Sequence, residues 1–182
     1  SPDYPGGEQD TIAFQARIKD WPKGLDETEK PIELLATNCY VYSTYAAPQV
    51  CIDPRPESDE PKVCYTNEIT FNGGNGAPVA VTSIESEPTN RGIFFTLNIR
   101  NIGDGDVFDV GYLEHCSPYH PGRVSERQRN LVYLVDARIG NTHLTCTPDR
   151  WDGIRLFNGR GTARCYYEYE YLTTGSAYET PL

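Results

Sequence analysis

The chain has 182 residues, with 16 Lys and Arg against 26 Asp and Glu, for a formal net charge of −10 at pH 7. Apolar residues make up 38% of it, and the 16 glycines raise the share to about 47%, inside the globular range, so a wholly disordered chain is excluded. No apolar run reaches the roughly 18 residues needed to cross a bilayer, and the acidic balance disfavours both nucleic acid and anionic membrane surfaces as partners.

The chain contains no Met and opens on Ser1, which leads us to expect a processed product or a piece of a longer one. Cys39, Cys51, Cys64, Cys116, Cys146 and Cys165 are even in number and lack paired CxxC knuckles. That pattern reads as three disulfides in an oxidising compartment, and so as an extracellular protein.

In chain order, Ile12, Phe14, Ala16 and Ile18 alternate with Ala13, Gln15 and Arg17, the period-2 signature of a half-buried strand. Residues 32–37 and 39–45, rich in Leu, Val and Tyr, are the next strand candidates. Three prolines make residues 53–61 a loop, because proline removes ladder donors. Asn72-Gly-Gly-Asn-Gly-Ala-Pro78 reads as a linker. Val79 and Val81 open another strand, and Ile93, Phe95, Leu97 and Ile99 give the cleanest alternation in the chain. A Gly/Asp turn follows at residues 101–106. Leu131, Tyr133, Val135, Ala137 and Ile139 form a further inward-facing set that ends at Gly140-Asn141. Short strands are expected at 144–146 and 154–157, the second closed by the hairpin signal Asn158-Gly159. The last strand carries Ala163, Cys165, Tyr167, Tyr169 and Tyr171 on one face. No segment holds a helical apolar period over three turns. The fold class is therefore all-β, with antiparallel sheets, and the immunoglobulin-like sandwich leads, stapled by disulfides. Two modules are expected, residues 1–75 and 76–182.

Several stretches carry a resemblance: Ile32-Glu-Leu-Leu-Ala-Thr-Asn-Cys-Tyr40, Val50-Cys-Ile-Asp-Pro54, Lys62-Val-Cys64 and Gly76-Ala-Pro-Val-Ala-Val-Thr82. Arg155-Leu-Phe-Asn-Gly-Arg-Gly-Thr-Ala-Arg-Cys165 and Ser176-Ala-Tyr-Glu-Thr-Pro-Leu182 belong with them. Together they resemble uncharacterised exported, membrane-anchored β-domain proteins of small-genome archaea. The resemblance implies a transmembrane anchor ahead of the β-domains and a further strand after the Thr-Pro-Leu segment. Separately, Phe95-Thr-Leu-Asn-Ile-Arg-Asn-Ile-Gly103 resembles cell-adhesion-related immunoglobulin-like domains of surface proteins. Neither resemblance brings a catalytic residue.

Six cysteines allow 15 connectivities. The set favoured here joins Cys51 to Cys64 across the acidic loop, Cys146 to Cys165 on neighbouring strands, and Cys39 to Cys116 between the two halves. The last closes a long loop and is worth about 4 kcal/mol by loop entropy. His115, Cys116, His120, His143 and Cys146 are zinc-type residues without knuckle spacing. Asp104, Asp106 and Asp109, near the Asn101 carbonyl, are weak calcium candidates that an ordinary turn explains equally. No metal and no cofactor is expected. Glu168 and Glu170 lie about 7 Å apart on a regular strand, and nothing marks them as an acid/base pair, so no catalytic residue is assigned. Tyr40, Tyr42 and Tyr45, with Tyr167, Tyr169 and Tyr171, offer rows of rings for a subunit interface or for stacking on glycans. The bland alternative is that they are simply good strand formers.

These readings converge on a non-enzymatic structural or assembly protein of an archaeal cell surface, a filament or envelope subunit that associates with itself or with other surface proteins. Thr11, Ile12, Phe14, Ala16 and Ile18 are the candidates for β-strand exchange into a neighbouring copy, with the position after Leu182 as the acceptor edge. Pairing of this segment inside its own module is the competing arrangement. The alternative function is a glycan- or protein-binding ectodomain of a membrane-anchored surface protein.

Overall fold

A computed structural model describes residues 11–17, 33–71, 77–122, 124–169 and 176–182. The chain divides into two units, Ser1–Ala36 and Thr37–Leu182. This differs from the boundary expected at 75/76, and strand pairing gives the reason. Strand β1 (Gln49–Ile52) pairs antiparallel with β11 (Tyr178–Pro181), so the segment before the Gly-rich stretch and the C-terminal segment belong to one body.

The centre of that body is a five-stranded antiparallel sheet. Its order is β2 (Ile69–Thr70), β3 (Val79–Pro88), β4 (Gly92–Asn101), β10 (Arg160–Glu168) and β8 (Thr145–Thr147). β4 sits in the middle because its alternation is the most regular. Ile93, Phe95, Leu97 and Ile99 face inward, opposite Tyr167, Cys165, Ala163 and Gly161 of β10. In β3 the apolar phase changes from odd residues (Val79, Val81) to even (Ile84). A register shift between Val81 and Ser83 absorbs the change, so both sets pack on the core. Gly92 is required where β4 begins, because a Cβ there would lie 2.3 Å from the Tyr167 carbonyl oxygen.

Three two-stranded ribbons complete the body: β1–β11, β5 (Leu131–Val132) with β9 (Ile154–Arg155), and β6 (Arg138–Ile139) with β7 (Thr142–His143). They contribute Val50, Ile52, Ile139 and Ile154, joined by Leu156, to the same buried cluster as the inner face of the sheet. The protein is thus mostly β, with antiparallel sheets and three disulfides. The continuous strand expected through residues 131–139 is instead two short strands in different ribbons, because Val135 points to solvent. Asn158 and Gly159 take positive φ (51° and 71°) between the bridged residues Phe157 and Arg160, the tight turn their types favour. Two short 3-10 helices, Val110–Cys116 and Glu126–Gln128, occupy the loop between β4 and β5.

Candidate functional site

The disulfides are Cys39–Cys116, Cys51–Cys64 and Cys146–Cys165, the same pairs favoured from the sequence. Cys146 and Cys165 are register partners on β8 and β10. Since Cys116 and Cys146 are consumed in bridges, neither is a thiolate ligand, and the zinc-type set loses two of its five members. The imidazoles of His115 and His120 stack with centroids 4.3 Å apart.

Cys51–Cys64 closes the acidic loop, and a buried knot stiffens it. Asp53 accepts from the Arg55 amide at 3.0 Å and from Lys62 Nζ at 2.7 Å. Lys62 Nζ also donates to the carbonyls of Arg55 and Pro56. From the sheet, Tyr169 donates its hydroxyl to the Asp53 carbonyl at 2.9 Å. Burial first, and then the Asp53 charge, holds the Tyr169 phenol well above its ordinary value of 10.

That bond corrects the reading of Tyr167 and Tyr169 as an open stacking row. Both pack against the core, on the same face as the fully buried Cys165, with their rings edge to face at 6.2 Å. Tyr171 and Ile18 lie outside the described residues. Tyr40, Tyr42 and Tyr45 are different: all three are exposed, Tyr45 at 82%, and the rings of Tyr40 and Tyr42 meet edge to face at 6.1 Å.

The strand-patterned N-terminal segments carry no strand among the described residues. Residues 11–17 are exposed throughout and carry no strand, with Phe14 82% exposed. Residues 33–45 likewise carry no strand, leaving Leu34, Leu35, Val41 and the three tyrosines in solvent. The pattern predicts strands here because alternation records which residues suit a pleated surface and not whether a ladder forms.

Asp104 and Asp106 stay exposed in a turn held by Asn101, whose Oδ1 accepts from the Gly103 amide and whose Nδ2 donates to the Gly105 carbonyl. Asp109 caps the first 3-10 helix through the Gly111 amide at 3.0 Å, and burial and then the Asp109 charge raise the Tyr133 phenol above its ordinary value. The Asp109 oxygens therefore serve local structure. Among the described residues no group of three His, Cys, Asp or Glu side chains converges as a metal site would. Glu168 is exposed on the outer face of β10, and Glu170 lies outside the described residues.

A feature not anticipated from the sequence is a shallow cleft of about 400 Å³, lined by Thr142, His143, Thr145, Tyr166, Glu168 and Tyr169. The β6–β7 hairpin builds one wall. Gly140 supplies a positive φ of 57° for its turn, and Leu144 donates to the Ala137 carbonyl just beyond the paired residues. The hairpin brings Asp136 Oδ1 within 2.8 Å of His143 Nδ1. Counting back from the Gly140-Asn141 turn places Arg138 opposite His143, and Asp136 reaches His143 as the next residue on the same face.

No protein-family model, curated protein or solved structure matches the chain.

Proposed function

We propose that this is a non-catalytic, extracellular structural protein of an archaeal cell surface, built on an immunoglobulin-like sandwich and joined to copies of itself by β-strand exchange. One observation carries the reading: residues 12–17 have the side-chain alternation of a half-buried strand, yet lie exposed and form no strand pairing among the described residues. Burying Ile12 and Phe14 in a neighbouring copy would recover roughly 1.5–3 kcal/mol each. Main-chain pairing would supply register and direction. An acceptor edge exists in the described sheet: among the described residues β2 pairs with Ser83 and Ile84, Phe71 donates its amide to the Thr82 carbonyl and Thr44 bonds the Val79 carbonyl, which leaves residues 85–88 of β3 without a neighbouring strand on that side. The exposed Tyr40, Tyr42 and Tyr45 are of the aromatic type enriched in protein interfaces relative to the rest of the surface.

The extracellular assignment is supported by three intrachain disulfides and by the resemblance to exported archaeal proteins. The sandwich assignment is supported by the packing of all three ribbons on the inner face of the sheet.

Light scattering coupled to size-exclusion chromatography tests the reading. The intact chain is expected to grow in mass with concentration, and a variant lacking residues 1–18 to stay monomeric while remaining folded. An intact chain that stays monomeric at high concentration, or a truncated one that associates equally well, would overturn it.

A further inference from the structure

We propose that the cleft between β7, β8 and β10 binds a pyranose sugar, a role separate from strand exchange and independent of it. Its volume of about 400 Å³ falls in the range of small-molecule sites, roughly 300–1,000 Å³. Its lining is polar, which selects against an apolar ligand. The hydroxyls of Thr142 and Thr145 and the carboxylate of Glu168 have no internal hydrogen-bond or ion-pair partner among the described residues, so their bonding capacity is open to a ligand. A carboxylate only accepts, so the His143 nitrogen facing Asp136 carries the proton. In the neutral ring this leaves Nε2 as an acceptor. The cleft thus combines an acceptor-only carboxylate, two hydroxyls able to donate and accept, and an imidazole of fixed tautomer. Vicinal sugar hydroxyls, each both donor and acceptor, satisfy that set.

The walls are held in place before any ligand arrives. Cys146–Cys165 ties β8 to β10 one residue along from the paired cleft residues Thr145 and Tyr166. Tyr166 is braced by Phe94, with ring centroids 4.6 Å apart, and Tyr169 by its hydroxyl bond to Asp53. Such preorganisation lowers the ordering cost of binding. Tyr166, on the outer face of β10, provides apolar surface for the C–H face of a sugar. A small anion fits poorly beside Glu168 on a chain of net charge −10. A metal ion fits poorly where no three ligating side chains converge among the described residues.

Saturation-transfer-difference NMR reads binding to the full chain whether it is dispersed or assembled. The probes are glucose, mannose, galactose and N-acetylglucosamine, each as the free sugar and as its methyl glycoside. At least one is expected to receive saturation and to be displaced by excess of itself. Glu168→Gln and His143→Ala are each expected to weaken it about tenfold, through loss of a charge-assisted or oriented hydrogen bond. Glu57→Gln, on the acidic loop, should leave binding unchanged. Both cleft side chains are exposed, so an unchanged thermal midpoint certifies folding of the variants. Equal binding of the methyl glycoside would identify the end of a longer glycan as the ligand; binding of the reducing sugar alone would identify a free saccharide. No saturation transfer to any probe, or unweakened binding in both cleft variants, would overturn the proposal.

Discussion

Lys62 and Asp53 carry a charge pair in an unusually dry setting, with side-chain exposures of 12% and 7%. Removing one partner of such a pair strands the other, so Lys62→Met is expected to cost about 3 kcal/mol in urea unfolding. Adding Asp53→Asn should recover at least half of that loss, since it removes the stranded charge while keeping an acceptor for the Arg55 amide. Recovery of nothing would mean that Lys62 acts through its two carbonyl bonds alone. Tyr169 makes a pH prediction. Its phenol is raised in the folded state, so its contribution is fully present below the unfolded value of 10 and is lost as pH climbs toward the folded one. Stability should therefore fall above about pH 10, and Tyr169→Phe should make that fall shallower while costing about 1 kcal/mol at neutral pH. Denaturant midpoints at pH 8 and above pH 10 check both halves. This buried role was obscured because alternate tyrosines suit either face of a sheet. The signal that settles the face is Cys165, whose side chain shares it and is wholly buried.

At the scale of elements, β4 was legible because one face of it is dry over its whole length, and apolar alternation reports that situation. Val79, Val81 and Ile84 carry a readable phase slip, which the register shift in β3 explains. The 131–139 segment was misleading for the opposite reason: it crosses between two ribbons, so Val135 needs no partner even though its spacing invites one. Cleft residues gather from β7, β8 and β10, and only the Asp136–His143 contact is local enough to derive from a turn. Close approach of β4 and β10 at Gly92 gives the element-scale test. Gly92→Ala places a methyl group against the Tyr167 carbonyl, and the strands must part locally. The expected cost is about 1–3 kcal/mol, read from the shift in urea midpoint. A neutral result would show that this strand end separates freely.

For the whole molecule, the two halves of the reading rest on different physics. Covalent closure of Cys39–Cys116 ties the chain just ahead of β1 to the first 3-10 helix, and the shared core joins sheet to ribbons. The part that follows Cys39 is therefore a braced body, while residues 11–17 present strand chemistry without a strand. Sequence alternation shows what that segment can become, and a partner copy is what we infer completes it. Hydrogen exchange at the backbone amides of residues 12–17 separates this from pairing inside one copy. The account predicts rapid exchange in dilute protein and strong protection once copies associate, with alternate amides protected as in an edge-paired strand. Protection already complete at the lowest concentration, or rapid exchange that persists in the associated state, would contradict it.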